Sequence, residues 1–243
     1  MTGEGNRTTP LWSTRVGSHA FGTNHAGSDF DNFDCYAIDT YDLLSGRVAS
    51  GGCHVSESAT ADGVKVDIQN HEVARWVDGA REENLNYMIG LFSPVVLDDP
   101  YGLLAELREI VSANPSTAIV PSTLGMARSN LKKWAMHNAS GDEARAIKNL
   151  RTSIRAIWFA RRFIEGLRGT DLFQNMHDLK TIPTPDLPEY LRFEMELLEE
   201  NAVRSGLPSH PDAKPFQEYL LRVRLGILCG DPTRYRFAWE SVA

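Results

Sequence analysis

The hydrophobic period of this chain changes once, near Glu72, and that change limits the folds open to it. Before it, the sequence holds short strand-like runs such as Leu11-Trp12-Ser13-Thr14-Arg15-Val16 and Val64-Lys65-Val66-Asp67-Ile68, the second with apolar and polar residues in alternation. After it, apolar residues recur at spacings of three and four: Val73, Trp76, Val77 and Ala80, then Leu103, Leu104, Leu107, Ile110 and Val111. Strands grouped first and helices grouped after them point to an α+β fold, not to interleaved βαβ units. The expected architecture is a small mixed β-sheet core over residues 1–95 and a helical bundle over residues 96–243. Pro94 and Pro100 mark the boundary.

Local signals place the elements. Residues 1–10 read as an arm, and 11–38 as strand, turn and strand. Imperfect alternation over 32–38 suggests a bulge. Residues 45–63, rich in Gly, Ser, Ala and Thr, read as a loop or hairpin connection. The first helical stretch carries a possible break near Gly79. Further helices are expected from Asp98-Asp99-Pro100 to Asn114-Pro115, over 122–138, and over 142–167 with Gly169 as a stop. Residues 170–188, with Pro183, Pro185 and Pro188, read as a connecting loop. A helix over 186–201 shows an acidic face at Glu194, Glu196, Glu199 and Glu200, expected to be solvated. A last helix covers 213–228. The aromatic and basic run from Arg234 to Trp239 either packs back on the body or stacks bases.

A net charge of −7 argues against a protein that coats nucleic acid, while leaving room for a local basic groove. Cys35, Cys53 and Cys229 are scattered and odd in number, so a reducing, cytoplasmic setting fits better than a disulfide framework. Cys53-His54 reads as a loop pair, not a metal site, since no further ligands lie at useful spacing. The polar N-terminus has no apolar signal core, and no run is long enough to cross a membrane.

The chemistry concentrates between Gly17 and Asp31. Gly17-Ser18 follows a strand-like run and reads as a tight turn whose N–H groups could face a phosphate. Asp29 and Asp31 are two apart, so an extended backbone points both carboxylates to one face. Carboxylates beside a phosphate-cradling turn suit magnesium and a nucleoside triphosphate. Two histidines share the stretch. His19 is read as a partly exposed loop residue that could touch a phosphate when protonated, and Ser28 as tightening the turn before Asp29.

Gly17-Ser18-His19-Ala20-Phe21-Gly22 and Ser28-Asp29-Phe30-Asp31 resemble the Gly-Ser and Asp-x-Asp signature of the DNA polymerase β nucleotidyltransferase superfamily. They are most similar to its stand-alone branch, which includes RNA-repair-associated members. The resemblance implies a third carboxylate on a neighbouring strand, for which Asp67 is the candidate and Asp62 a rival. It implies that Asp29 and Asp31 hold the Mg²⁺ ion carrying the triphosphate and share a second ion with Asp67, Mn²⁺ being able to substitute. Gly17 and Ser18 would hold the β- and γ-phosphates, and Asp67 could help deprotonate the acceptor. His71-Glu72-Val73-Ala74-Arg75-Trp76 also resembles that branch, where a Glu-containing helix follows the third Asp. Lys148 and Arg155 match a Lys-x-x-x-His-x-x-Arg pattern of the helical half, with Thr152 where the pattern has His. Two turns of helix put Lys148 and Arg155 on one face. They either bind the nucleotide or belong to a solvated basic face with Arg151, Arg161 and Arg162.

The expected activity is therefore Mg²⁺-dependent transfer of a nucleoside monophosphate from an NTP to a hydroxyl, with release of pyrophosphate. The acceptor is an RNA (a tRNA or RNA end), a protein or a small molecule. The rivals are a non-catalytic NTP-binding regulatory module and an antitoxin-type nucleotidyltransferase that acts on a protein partner. Three carboxylates brought together would also raise the pKa of at least one of them.

Overall fold

The computed structural model describes residues 8–46, 54–61 and 64–234. The expected run Gly51-Gly52, Cys53, Asp62 and the tail from Tyr235 onward lie outside them. The strands are β1 (Thr8–Val16), β2 (Phe30–Ile38), β3 (His54–Ala61), β4 (Val64–Glu72) and β5 (Val96–Asp98). They form one mixed sheet in the order β3-β4-β2-β1-β5, in which β2 and β4 run parallel and the other pairs antiparallel. The fold is α+β, as the change of period indicates.

Three details of the sheet depart from the sequence reading. Strand β1 begins at Thr8, inside the expected arm. The register shift lies in β1 between Pro10 and Trp12, not in β2. Pro10 has no N–H to donate to the ladder, and the extra residue lets Leu11 and Trp12 both become buried. The stretch expected as a connection supplies a full strand, β3, whose backbone pairs with β4 along its length. Ladder formation with β4, not composition, makes it a strand.

The sheet is backed by α3 (Val73–Arg81) and α4 (Leu85–Phe92). Gly79 does not break α3. A Cβ there would lie 2.3 Å from the Tyr87 ring, so the missing side chain lets α4 approach. The chain turns instead at Glu82–Asn84, where Asn84 caps α4. The Glu83 carboxylate accepts from the N–H groups of Ser116 and Ile119, at 2.8 and 3.1 Å, and so ties this turn to the next helices. Glu72 caps α3 through the Ala74 N–H and pairs with Arg224 at 2.6 Å. It anchors structure at the end of β4.

Helices α5 (Leu103–Ala113), α6 (Ile119–Ala139), α7 (Glu143–Ile164), α8 (Leu187–Ser205) and α9 (Ala213–Leu228) complete the chain, with a short α2 (Thr40–Leu44) after β2. Asp99 accepts from the N–H groups of Leu104 and Ala105 and so starts α5. Helix α7 ends at Ile164, ahead of Gly169. Residues 170–188 are not a plain loop: they make three short 3₁₀ turns that bury Leu172, Met176 and Leu179. Glu194 does not belong to a solvated face. It is 3% exposed and pairs with Arg161 at 2.6 Å, joining α8 to α7. A single apolar core runs from Trp12 and Trp76 in the sheet half to Phe159 and Phe163 in the helical half. No helix among the described residues is long and apolar enough to cross a membrane.

Candidate active site

Strand β1 leads directly into α1 (Gly17–Ala20), a single helical turn where the sequence suggests a bare turn. The end of β1 is fixed on its outer side: the Arg15 N–H donates to the Val95 carbonyl at 2.9 Å, and the Ser93 hydroxyl donates to the Arg15 carbonyl at 2.5 Å. Gly17 then adopts φ +65°, and a Cβ on it would lie 2.1 Å from Asp31 Oδ2. Glycine is needed here twice, for the left-handed backbone and for the close approach of the carboxylate.

Asp31 sits in β2 directly opposite Asp67 in β4, as a register pair of parallel strands. Asp29 is exposed and precedes β2 by one residue. Ser28 tightens the turn before it: its hydroxyl accepts from the His25 N–H at 2.9 Å. Burial pushes the Asp31 carboxyl up, and the charges of Asp67 and Asp29 add to that, against smaller opposing effects from Lys148 and His19. Asp67 goes the other way. Lys65, 2.6 Å from its Oδ2, and the Ser58 hydroxyl hold its carboxyl below the usual range. His19 is half-buried with its ring 4.7 Å from that of Phe30, the first residue of β2.

Helix α7 forms the facing wall. A cavity of about 740 Å³ has Gly17, Ser18, Asp29, Asp31 and Asp67 on one side and Lys148 and Arg155 on the other. The structure therefore gathers all seven residues singled out from sequence around one space. It adds Arg151 and Thr152, which continue the α7 wall, and Phe21, Met176 and Leu179 as apolar lining. Arg151 lies three residues after Lys148 and four before Arg155, a spacing that shares their face and was the available signal. Met176 and Leu179 come from the segment read as a connecting loop, and no local signal marks them.

Among the described residues no three His, Cys, Asp or Glu side chains are grouped so that they could hold a metal ion together; both Asp67 oxygens are engaged by Lys65 and Ser58. The donor chemistry nonetheless fits a hard divalent cation. The donors are carboxylate oxygens, and Asp31 carries a charge that two like neighbours oppose.

No curated protein matches the chain. Among solved structures it is similar to a nucleotidyltransferase-like protein from Exiguobacterium sibiricum 255-15, at 12% identity and a TM-score of 0.32, over 90% of this chain and 74% of that one. Residues 5–190 match the family model RlaP, described as the RNA repair pathway DNA polymerase beta family. With that match spanning most of the chain, and with a mixed sheet carrying the Gly-Ser turn and the Asp-x-Asp strand, this protein belongs to the RNA repair pathway DNA polymerase beta family of nucleotidyltransferases.

Proposed function

We propose that the pocket transfers a nucleoside monophosphate from an NTP to a hydroxyl acceptor. The acceptor oxygen forms a bond to the α-phosphorus, the bond from that phosphorus to the β-phosphate oxygen breaks, and pyrophosphate leaves while the hydroxyl proton passes to solvent water. The observation that carries this reading is the cavity itself, with carboxylates from β2 and β4 facing cations from α7. Asp29 and Asp31 would hold magnesium, with Asp67 the ligand that a second ion would share. When bound, the metal supplies charge neutralisation at the moving phosphoryl group and at the leaving oxygen.

The chain's own residues do the rest. Gly17 and Ser18 bring the backbone of α1 up to the carboxylates, where a triphosphate can lie against it. Lys148 offsets negative charge near Asp31. With its carboxyl held low by Lys65 and Ser58, Asp67 is a poor base, and we assign it to holding and orienting rather than to proton removal. The sheet unit over residues 1–95 is read as catalytic and the helical unit over 96–243 as the part that closes the pocket, with β5 crossing the boundary.

RNA repair in the family description favours an RNA hydroxyl over a protein side chain as acceptor. The test is incubation with each α-labelled NTP, Mg²⁺ and matched RNA and protein acceptors. Label on RNA with release of pyrophosphate supports the reading. NTP binding without any transfer would mark a regulatory module instead, and label on protein alone would favour a partner-modifying enzyme.

A further inference from the structure

Helix α7 carries six basic side chains. Three are engaged away from the cavity: Arg145 with Asp142 at 3.4 Å, Arg161 with Glu194 at 2.6 Å, and Arg162 with the Gln174 carbonyl at 2.6 Å. Lys148, Arg151 and Arg155 face the cavity. The two arginines among these differ in what they hold.

Arg155 is tied to the turn that follows Ser18. Its Nη1 donates to Thr23 Oγ1 at 2.6 Å and its Nη2 to Thr152 Oγ1 at 3.3 Å. Its guanidinium carbon lies 5.2 Å from the centre of the Phe21 ring. Thr23 in turn donates its N–H to the Ser18 carbonyl at 2.9 Å. The Arg155 side chain thus braces the segment on which Ser18 stands. The buried Nε of each arginine has no partner, but Arg155 is held through both Nη groups, whereas Arg151 makes no hydrogen bond or ion pair at all among the described residues. Its charge also repels that of Arg155. A guanidinium with a buried donor and no acceptor is costly unless an anion fills the space it faces.

We propose that Arg151 is the guanidinium that binds the triphosphate of the nucleotide, and that Arg155 is a positioning residue that holds the Ser18–Thr23 turn through Thr23. This rests on reading the pocket as an NTP site, and it departs from the sequence expectation for Arg155. Thr152 serves Arg155 by accepting its second hydrogen bond.

The test is calorimetric binding of inorganic tripolyphosphate, of a non-hydrolysable ATP analogue and of a 5′-phosphorylated RNA oligonucleotide, each with Mg²⁺. The proteins are wild type, Arg151→Ala, Arg151→Lys, Arg155→Ala, Thr23→Val and the Arg155→Ala/Thr23→Val pair, all checked by melting curves. Arg151→Ala should weaken tripolyphosphate and the ATP analogue by the same factor, about ten- to a hundredfold. Arg151→Lys should recover part of that, because it restores charge without the planar fork. Thr23→Val changes no charge on the wall, yet it should weaken binding as much as Arg155→Ala does, and the double variant should be no worse than either single one. Unchanged tripolyphosphate binding in Arg151→Ala overturns the assignment, as does a loss confined to the RNA oligonucleotide. A harmless Thr23→Val beside a damaging Arg155→Ala overturns the positioning role. If wild type binds neither tripolyphosphate nor nucleotide, the NTP reading of the pocket falls and this assignment falls with it.

Discussion

Asp31 and Asp67 stand side by side on adjacent parallel strands, and the fold treats their charges unequally. Asp67 is compensated by Lys65 and Ser58, whereas Asp31 is half-buried beside Asp67 and Asp29 with Lys148 as its main opposing cation. The pair is therefore asymmetric without metal, with the uncompensated charge on the strand next to Gly17.

This asymmetry sets a pH dependence. The Asp31 pKa is raised on folding from about the ordinary 3.8, so the folded state binds its proton more tightly. That contribution to stability is fully present below the ordinary value and is lost as pH rises through the raised one. In chelator-containing buffer, Asp31→Asn should melt above wild type at pH 7, with the gap closing as pH falls toward 4. Asp67 has the opposite sign: its stabilising contribution is present above the ordinary value and lost as pH falls. Asp67→Asn should therefore melt below wild type at pH 7, where Asp31→Asn melts above it. Equal gains in the two variants would show that Lys65 and Ser58 do not compensate Asp67.

Gly17→Ala should damage both fold and site. The left-handed backbone costs a non-glycine residue roughly 1–2 kcal/mol, and the added methyl would displace the Asp31 carboxylate. We expect a lower urea midpoint with an unchanged m-value, and a loss of NTP transfer larger than the stability loss explains. A variant as active as wild type would place the phosphate path away from Gly17.

Glu194→Ala leaves Arg161 partly buried without its close partner. Arg161 is 21% exposed, so the cost should fall below that of a fully buried broken pair, at ~2–3 kcal/mol. The same change should ease Tyr190, whose hydroxyl burial and then Glu194 push up to about 12. Urea unfolding and an ultraviolet titration of tyrosine check the two halves. A surface-like change below about 0.5 kcal/mol would contradict the buried pairing.

What the sequence made legible was mostly local. The change of period near Glu72 separates sheet from helices, and the Gly-Ser and Asp-x-Asp residues carry the family signature. Spacing alone puts Lys148, Arg151 and Arg155 on one face of α7, but spacing names a face and not what it looks at. That this wall meets β2 and β4 is set by packing across more than a hundred residues, as in the bond from Arg155 to Thr23. Strand β3 was hidden because its Ser, Ala and Thr residues carry little hydrophobic period, and its identity comes from the β4 ladder. Glu194 looked solvated beside its acidic neighbours because its partner, Arg161, lies on another helix. Gly79 looked like a break because the Tyr87 ring that fills its space cannot be seen from one helix alone.

The central claim is that Asp29 and Asp31 make this pocket a catalyst of nucleotidyl transfer. The most direct measurement follows label from the α-phosphate of an NTP into RNA, together with pyrophosphate release, for wild type, Asp29→Asn and Asp31→Asn at matched folded concentration. We expect transfer by wild type and a loss of at least about a hundredfold in kcat/KM in each variant, equal to ~2.7 kcal/mol of transition-state stabilisation. Label transfer by either variant at the wild-type rate would contradict the account.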